Sequence, residues 1–130
     1  MSNGGLSFPA GWPPNCPPND ATDADVVVYR AVEANPPTAS DFLSYQEKGK
    51  QISPRKVCQA HGLSVHGSKE DAIHYRELFS WAPRLIAKGK LMPVHGKTKP
   101  TPSGNFPSHV TWWPYDGVNR CQPFAVVQGV

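Results

Sequence analysis

Proline is the residue that most limits what this chain can fold into. The chain has 15 prolines, well above the usual share, and many of them cluster near the start. Proline fixes φ and has no N–H, so residues 1–24 are predicted to form a proline-rich extended arm without helix or inner strand. Phe8 and Trp12 are too apolar for a linker, so we expect them to hold the arm on the domain surface. The alternative is an arm that docks on a protein partner.

The remaining residues, 25–130, are predicted to form a single small domain, because 130 residues fit the usual size of one domain. Short runs of β-branched and apolar residues indicate strands, and capping-box spacings at Thr38 and Ser68 indicate helix starts. In chain order the predicted elements are a strand over 25–32, a short helix over 38–49, a strand over 57–65, a helix from 68, strand pieces over 85–87 and 91–94, a mobile loop over 95–107, and strands over 109–113 and 124–127. This order predicts an α+β fold with a mostly antiparallel twisted sheet and two short helices.

Helical spacing predicts which side chains of the two helices face the core. In the first helix they are Phe42 and Tyr45. In the second they are Ala72, Tyr75 or Arg76, and Phe79.

Composition excludes several classes of protein. The formal charge of +3 and the pI near 8.8 permit an anionic ligand but are too mild for a dedicated nucleic-acid-binding protein. No apolar run approaches the ~18 residues of a membrane span, and the first residues lack the features of a secretory signal. Cys16, Cys58 and Cys121 are odd in number and widely spaced, so we expect no disulfide framework. We therefore expect a cytoplasmic protein without a membrane partner, of the accessory kind found in bacteria.

Residues with chemical potential concentrate around the turn between the third predicted element and the second helix. Three of the five histidines lie there, His61, His66 and His74, with Ser64 between the first two. Cys58, His61 and His66 have zinc-ligand chemistry, but their spacing on a strand puts successive members on opposite faces, so we expect no metal. Ser64 and His66 share a face, yet no nucleophile-elbow pattern surrounds the serine. A packed or solvated hydroxyl is therefore the favoured interpretation of Ser64.

Two adjacent tryptophans stand on a late strand. His109 and Trp113 lie on one face of that strand, and Trp112 lies on the other. One tryptophan therefore belongs to the core, and the other, with Tyr115 and His109, can line a groove and stack on a base, a nicotinamide or a sugar. Such stacking on a nucleobase contributes ~1–3 kcal/mol. The alternative is that both tryptophans pack against the core and the arm.

Three segments resemble the ADP-ribosyltransferase-like superfamily. They are residues 28–31, 61–65 and 68–72. Proteins of that superfamily place an Arg or His of an early strand against NAD. The resemblance therefore implies that Arg30 contacts NAD and that Gly62 and Ser64 line the cleft.

The late strands depart from the pattern of that superfamily. Its catalytic set includes a glutamate on a late strand, whereas this chain has Gln122 and Gln128 there. The resemblance therefore implies either NAD-dependent ADP-ribosyl transfer or the binding of NAD or another nucleotide without turnover. Arg30 also has a structural alternative, which is an ion pair with a carboxylate such as Asp41 or Glu47.

Together these patterns predict a ligand-binding cleft. The candidate residues are Arg30, His61, Gly62, Ser64, His66, His109, Trp113 and Tyr115. We expect the arginine to neutralise an anionic group, the serine and histidines to orient polar atoms, and a tryptophan to stack. The expected function is binding of a small anionic or nucleotide-like ligand, with NAD as a candidate cofactor. The alternatives are an ADP-ribosyltransferase-like enzyme and a protein-interaction module in which the arm and residues 97–107 meet a partner. The sequence leaves the oligomeric state and the strand order open.

Overall fold

The segment predicted as a strand over residues 25–32 forms one, and it belongs to a sheet that has seven strands among the described residues. A computed structural model describes residues 6–130, and the first five residues of the predicted arm lie outside the described residues. The strands are β1 (Thr22–Asp23), β2 (Val26–Val32), β3 (Leu63–His66), β4 (Leu85–Leu91), β5 (Gly96–Pro100), β6 (His109–Pro114) and β7 (Phe124–Val126). They are ordered β1-β5-β6-β3-β2-β4-β7, and every neighbouring pair is antiparallel. The predicted α+β class, with one small domain and an antiparallel sheet, is confirmed.

In residues 6–130 two α-helices accompany the sheet. They are α1 (Val57–His61) and α2 (Lys69–Leu78), and single 3₁₀ turns occupy Ala39–Phe42, Pro54–Lys56 and Pro93–His95. The second helix starts as predicted, because the Ser68 hydroxyl accepts a hydrogen bond from the Asp71 N–H at 3.1 Å. Within residues 6–130, none of the helices has the length and apolar character needed to cross a membrane.

The strand predicted over residues 57–65 is wrong in its first half. Val57–His61 is the short helix α1, which continues from the 3₁₀ turn at Pro54–Lys56. Pro54 at the start of that turn has a φ suited to helical backbone, which favours a helical conformation just before α1. Gly62, with φ −88° and ψ 171°, returns the backbone to an extended conformation, and β3 follows.

The helix predicted over residues 38–49 is also wrong in extent. It is one 3₁₀ turn over Ala39–Phe42, and residues 45–49 form a turn. The Asp41 carboxylate accepts hydrogen bonds from the main-chain N–H of Thr38 at 3.0 Å and of Glu33 at 2.7 Å. These bonds tie the segment to the end of β2, in place of a longer helix.

The region between residues 85 and 107 is more regular than predicted. The strand predicted over 85–87 extends to Leu91 as β4, and part of the predicted loop is strand β5. The strand predicted over 91–94 is wrong beyond Leu91, because Pro93–His95 is a 3₁₀ turn. Gly96 starts β5 with a φ of 137°, a backbone conformation that favours glycine. Its neighbours Lys97 and Thr98 pair with β6 on one side, and β1 pairs on the other. Cross-strand pairing therefore decides the structure of a segment with little strand propensity of its own.

A disulfide bond joins Cys16 to Cys58, so the expectation of no disulfide is wrong. The two cysteines are 42 residues apart in sequence, and their Cα atoms are 5.5 Å apart in the structure. Only the path of the folded chain brings them together, and their spacing carries no local signal of it. Cys121 is a free cysteine.

Residues 6–21, called the arm below, contain no helix or strand. The expected contacts of Phe8 and Trp12 with the domain are present. The Phe8 ring centroid lies 4.7 Å from that of Tyr115, and the Trp12 centroid lies 5.3 Å from that of His61. The arm is thus held by contacts between tilted rings as well as by the disulfide.

The sheet divides its side chains between two faces. The hydrophobic core contains Ala24, Val28, Val32, Phe42, Leu63, Val65, Ala87, Leu91, Trp112 and Phe124. Leu63 and Trp112 are cross-strand partners, so their side chains lie on the same, core-facing side of β3 and β6. Ser64 and His66 alternate with these core residues and lie on the opposite face.

Candidate functional site

Arg30 is the centre of the candidate site. Its Nε donates to the main-chain carbonyl of Asp41 at 2.9 Å, and its Nη1 donates to the carbonyl of Ser64 at 2.6 Å. Its Cζ lies 5.5 Å from the centroid of the Phe42 ring, within the range of a cation–π contact. The pair Tyr29 and His66 joins β2 to β3, and next to it the guanidinium of Arg30 satisfies a β3 carbonyl. These contacts hold a positive charge at one place between the two strands.

No carboxylate forms an ion pair with this guanidinium in the part of the chain that the structure describes, although the charge of Asp41 favours its protonated form. The Asp41 carboxylate is engaged by main-chain N–H groups, and Glu47 forms two hydrogen bonds of 2.6 and 2.9 Å with Arg120. The ion pairs considered for Arg30 are therefore not formed. Burial lowers the pKa of Arg30, but a guanidinium stays protonated in proteins. Burying a cation that has no ion-pair partner is unfavourable, and an anionic ligand would offset that cost.

Lys48 brings a second positive charge to the site. It is exposed, and its Nζ lies 5.9 Å from the centroid of the Tyr45 ring. Desolvation lowers the pKa of Lys48, and the positive charge of Arg30 lowers it further. Among residues 6–130 it has no ion-pair partner. The two cations therefore form a local excess of positive charge.

Tyr45 and Tyr75 add hydroxyl groups beside these cations. Tyr45 is 44% exposed, and Tyr75 is half-buried on α2. Burial raises the pKa of Tyr75 to about 12, a hydrogen bond with Tyr45 raises it as well, and the charge of Arg30 opposes the change. The Tyr75 hydroxyl is therefore protonated at neutral pH and is hydrogen-bonded to Tyr45.

Lys48, Tyr45 and Tyr75 were not predicted as site residues. Helical spacing placed both tyrosines among core-facing side chains, and that spacing does not distinguish a ring in the core from a ring beside a charge. A sequence signal for a charged surrounding of Tyr45 is the pair Glu47 and Lys48, which follows this expected core position after one residue.

Hydrogen bonds between α2 and β6 fix the position of Tyr75. The Asp71 carboxylate accepts from the Ser108 N–H at 2.8 Å and from the Ser108 hydroxyl at 2.6 Å. The Ser68 N–H donates to the Ser108 hydroxyl at 3.1 Å. These bonds hold the first turn of α2 against the start of β6, and Tyr75 lies one turn further along the helix.

The polar face of β3 and β6 carries two of the predicted histidines. Ser64 pairs with Thr111, and His66 pairs with His109, so these four side chains share one face. The Thr101 hydroxyl lies 2.8 Å from Nδ1 of His109 and 2.9 Å from the Thr111 hydroxyl. Burial lowers the pKa of His109, and the hydrogen bond between its Nδ1 and the main-chain carbonyl of Thr101 opposes that change. His109 thus belongs to an internal hydrogen-bond network.

His66 is the most perturbed histidine of this face. It is 5% exposed, and its Nδ1 has no hydrogen-bond partner within the described residues. Its ring centroid lies 5.8 Å from Tyr75, 5.3 Å from Phe106 and 5.5 Å from His109. Burial lowers the pKa of His66 to about 4, and the charges of His109 and Arg30 lower it too, while Asp71 opposes them. His66 is therefore neutral at pH 7.

Four of the predicted site residues have contacts with parts of the protein other than Arg30. They are Trp113, Gly62, His61 and Tyr115. Trp113 is 2% exposed and its Nε1 donates to the Cys58 carbonyl at 2.9 Å, so its ring is enclosed by protein. A Cβ on Gly62 would contact a threonine methyl of β6 and the Trp113 indole, which explains the glycine. His61 and Tyr115 lie against the rings of the arm. Both tryptophans of the pair are buried, so the packing alternative describes them.

The structure thus brings part of the predicted set together. Ser64, His66 and His109 share one face of β3 and β6, whereas Arg30 alternates along β2 with Tyr29, the partner of His66, and reaches only the main chain of Ser64. A surface cleft of about 240 Å³ nearby is lined by Ala39, Phe42, Leu43, Glu47, Val118, Asn119 and Arg120, and it includes none of the predicted residues.

Metal chemistry has no support in the arrangement of ligands. Among residues 6–130, no group of three or more His, Cys, Asp or Glu side chains is placed to hold a metal ion. Cys58, one of the ligands considered, is bonded to Cys16 instead. What the arrangement offers chemically is positive charge and hydroxyl donors.

No protein-family model, no curated protein and no solved structure matches this chain.

Proposed function

We propose that this protein binds a small anionic ligand at Arg30, with Lys48 as the second cation and the Tyr45 and Tyr75 hydroxyls beside them. One observation carries the proposal: the half-buried guanidinium is bonded to two main-chain carbonyls and to no carboxylate. Those bonds use two of the five N–H donors of the side chain. They orient the group before a ligand arrives, and such pre-organisation favours binding.

A phosphate group fits this site best among common anions. A phosphate monoester carries close to two negative charges at neutral pH, which match the charges of Arg30 and Lys48. Arginine binds phosphate oxygens through paired N–H donors, and lysine does so as a point charge. The hydroxyls of Tyr45 and Tyr75 are hydrogen-bond donors for the remaining oxygens. We therefore propose a phosphate or nucleotide-like ligand, with NAD as one candidate.

Catalysis on NAD is the second proposal and has less support. It rests on the resemblance to the ADP-ribosyltransferase-like superfamily, and Gln122 stands near the late strand where that superfamily has glutamate.

Cytoplasmic location also stays a prediction. Disulfides such as Cys16–Cys58 are rare in cytosolic proteins, so the bond favours an oxidising compartment over the cytoplasm.

The test is a titration of the isotope-labelled protein with inorganic phosphate, AMP and NAD, followed by amide NMR. We expect shifts concentrated at Arg30, Ser64 and the residues around Lys48. Lys48→Gln should weaken binding about tenfold, the effect of one lost charge-assisted hydrogen bond. Lys90→Gln is the matched control, because it removes the same charge from an exposed side chain that already pairs with Asp25 at 2.8 Å.

Binding that is equally affected by the two lysine variants would mean a non-specific charge effect and would contradict the proposal. Absence of shifts at millimolar phosphate, AMP and NAD would leave a protein-interaction role. Release of nicotinamide from NAD during the titration would support the enzyme alternative.

A further inference from the structure

We propose that Cys16 and Cys58 are positioning residues for the anion site, so that the site binds its ligand more tightly when the two are joined as a disulfide. The inference rests on the proposed function. Its basis is the set of contacts that connect α1, which carries Cys58, to both sides of Arg30.

The disulfide fixes one end of a chain of contacts. Cys58 is bonded to the arm through sulfur, and its main-chain carbonyl accepts a hydrogen bond from Trp113 Nε1 at 2.9 Å. The helix that contains it has five residues, no side-chain cap and one buried residue, Ala60. So short a helix is not stable alone, and α1 depends on these attachments.

The other end of the chain of contacts reaches the cations. The Ala60 carbonyl of α1 accepts a hydrogen bond from the Gln46 N–H at 3.2 Å, and Gln46 lies between the site residues Tyr45 and Lys48. On its C-terminal side, α1 leads through Gly62 into β3, whose Ser64 carbonyl accepts from Arg30. One short helix therefore supports both the segment that carries Lys48 and the carbonyl that orients Arg30.

Reduction breaks this support at a defined bond. A small dithiol gives two electrons and two protons to the Cys16 and Cys58 sulfurs, the S–S bond breaks to two thiols, and the dithiol becomes its own disulfide. The arm then keeps only its non-covalent contacts, which include the Trp12 ring against His61. Ala21 is buried, but the core cluster that packs on the sheet contains no residue of the arm, so we expect the sheet to persist while α1 becomes less ordered.

The first test compares inorganic phosphate affinity of the oxidised protein, the dithiothreitol-reduced protein and the C16S/C58S variant, at a temperature where circular dichroism shows all three folded. We expect at least fivefold weaker binding for the reduced protein and the double variant. Cys121→Ser is the control and should bind as the wild type does. A purely structural disulfide would lower the melting temperature and leave the affinity unchanged, and that result would overturn the inference. Failure of the oxidised protein to bind phosphate would instead overturn the proposed function, and the inference with it.

A second measurement uses only the oxidised wild-type protein, in case the cysteine variant does not fold. Hydrogen exchange of the Gln46 amide reports the bond between α1 and the Lys48 segment. Because coupling between sites is reciprocal, phosphate should slow exchange at Gln46 and in residues 57–62 several-fold. Exchange of the Lys88 amide, which lies on β4, should not change when phosphate binds. Exchange at Gln46 that is independent of bound phosphate would overturn the inference.

Discussion

Protonation of His66 should limit the stability of this protein in acid. The imidazole is 5% exposed and lies among Tyr75, Phe106 and His109, and its Nδ1 has no hydrogen-bond partner in the described residues. A proton on this ring would place a charge in a buried position where Nδ1 has no hydrogen-bond partner in the described residues. The unfolded chain accepts the same proton without that cost.

The sign and size follow from the two pKa values. The pKa of His66 is about 4 in the fold, mainly because of burial, against 6.5 for an ordinary histidine. Below pH 6.5 the unfolded state therefore binds more protons than the folded state, so the free energy of unfolding falls as the pH drops and levels off near pH 4. The difference corresponds to about 3 kcal/mol of stability that is present at neutral pH and lost in acid.

His66→Phe isolates this contribution, because phenylalanine keeps a ring in the aromatic cluster and cannot be protonated. Urea unfolding of both proteins, followed by tryptophan fluorescence from pH 7 down to 4, gives the free energy of unfolding at each pH. We expect the wild type to lose about 3 kcal/mol more than the variant over this range. His74→Gln, at an exposed position of α2, should behave as the wild type. Parallel pH profiles for wild type and His66→Phe would refute the reasoning.

Two further predictions concern covalent and steric constraints. Replacing Cys16 and Cys58 by serine opens a loop of 42 residues and should lower the free energy of unfolding by about 4 kcal/mol, whereas Cys121→Ser should change it little. Chemical denaturation measures both, and equal midpoints would show that the bond does not restrict the unfolded chain. Gly62→Ala should cost about 1–3 kcal/mol, because the added methyl contacts β6, and Gly104→Ala, which meets nothing within 4 Å, should stay within about 0.5 kcal/mol. A stable Gly62→Ala protein would mean that β6 moves away at little cost.

Local sequence signals predicted the elements that depend on local physics. The β-branched run of β2 and the Ser68 cap of α2 form where expected, because side-chain shape and an N-cap hydroxyl act within a few residues. The late strands β6 and β7 also appear close to their predicted places. Those signals are enough for the α+β class.

The errors arise where distant residues decide the backbone. Residues 97–100 read as a loop, and they form a strand because β6 and β1 supply partners. The disulfide joins residues whose separation of 42 carries no pairing signal. Asp41 has the helix-start residue type expected of it, but its carboxylate bonds to the end of β2 and shortens the helix to one turn.

The candidate site divides in the same way. The sequence predicts that Arg30 neutralises an anionic group and that Ser64 orients polar atoms, and both roles stay predictions. The structure adds a contact that the sequence did not predict, because the Ser64 main-chain carbonyl accepts a hydrogen bond from Arg30. Lys48 and Tyr75 could not be selected from the sequence, because their proximity to Arg30 depends on how the segment before α1 and the helix α2 pack on the sheet.

The sequence alone determined the class of fold, the start of α2 and the presence of an arginine on an early strand, because propensity, capping and charge are properties of short segments. The tertiary structure alone decided the strand order, the Cys16–Cys58 bond and the absence of an ion pair with Arg30 among the described residues. Each of these depends on which distant groups become neighbours. Asp41 and Glu47 were equally available to Arg30 in sequence, and only the folded chain committed one to backbone N–H groups and the other to Arg120.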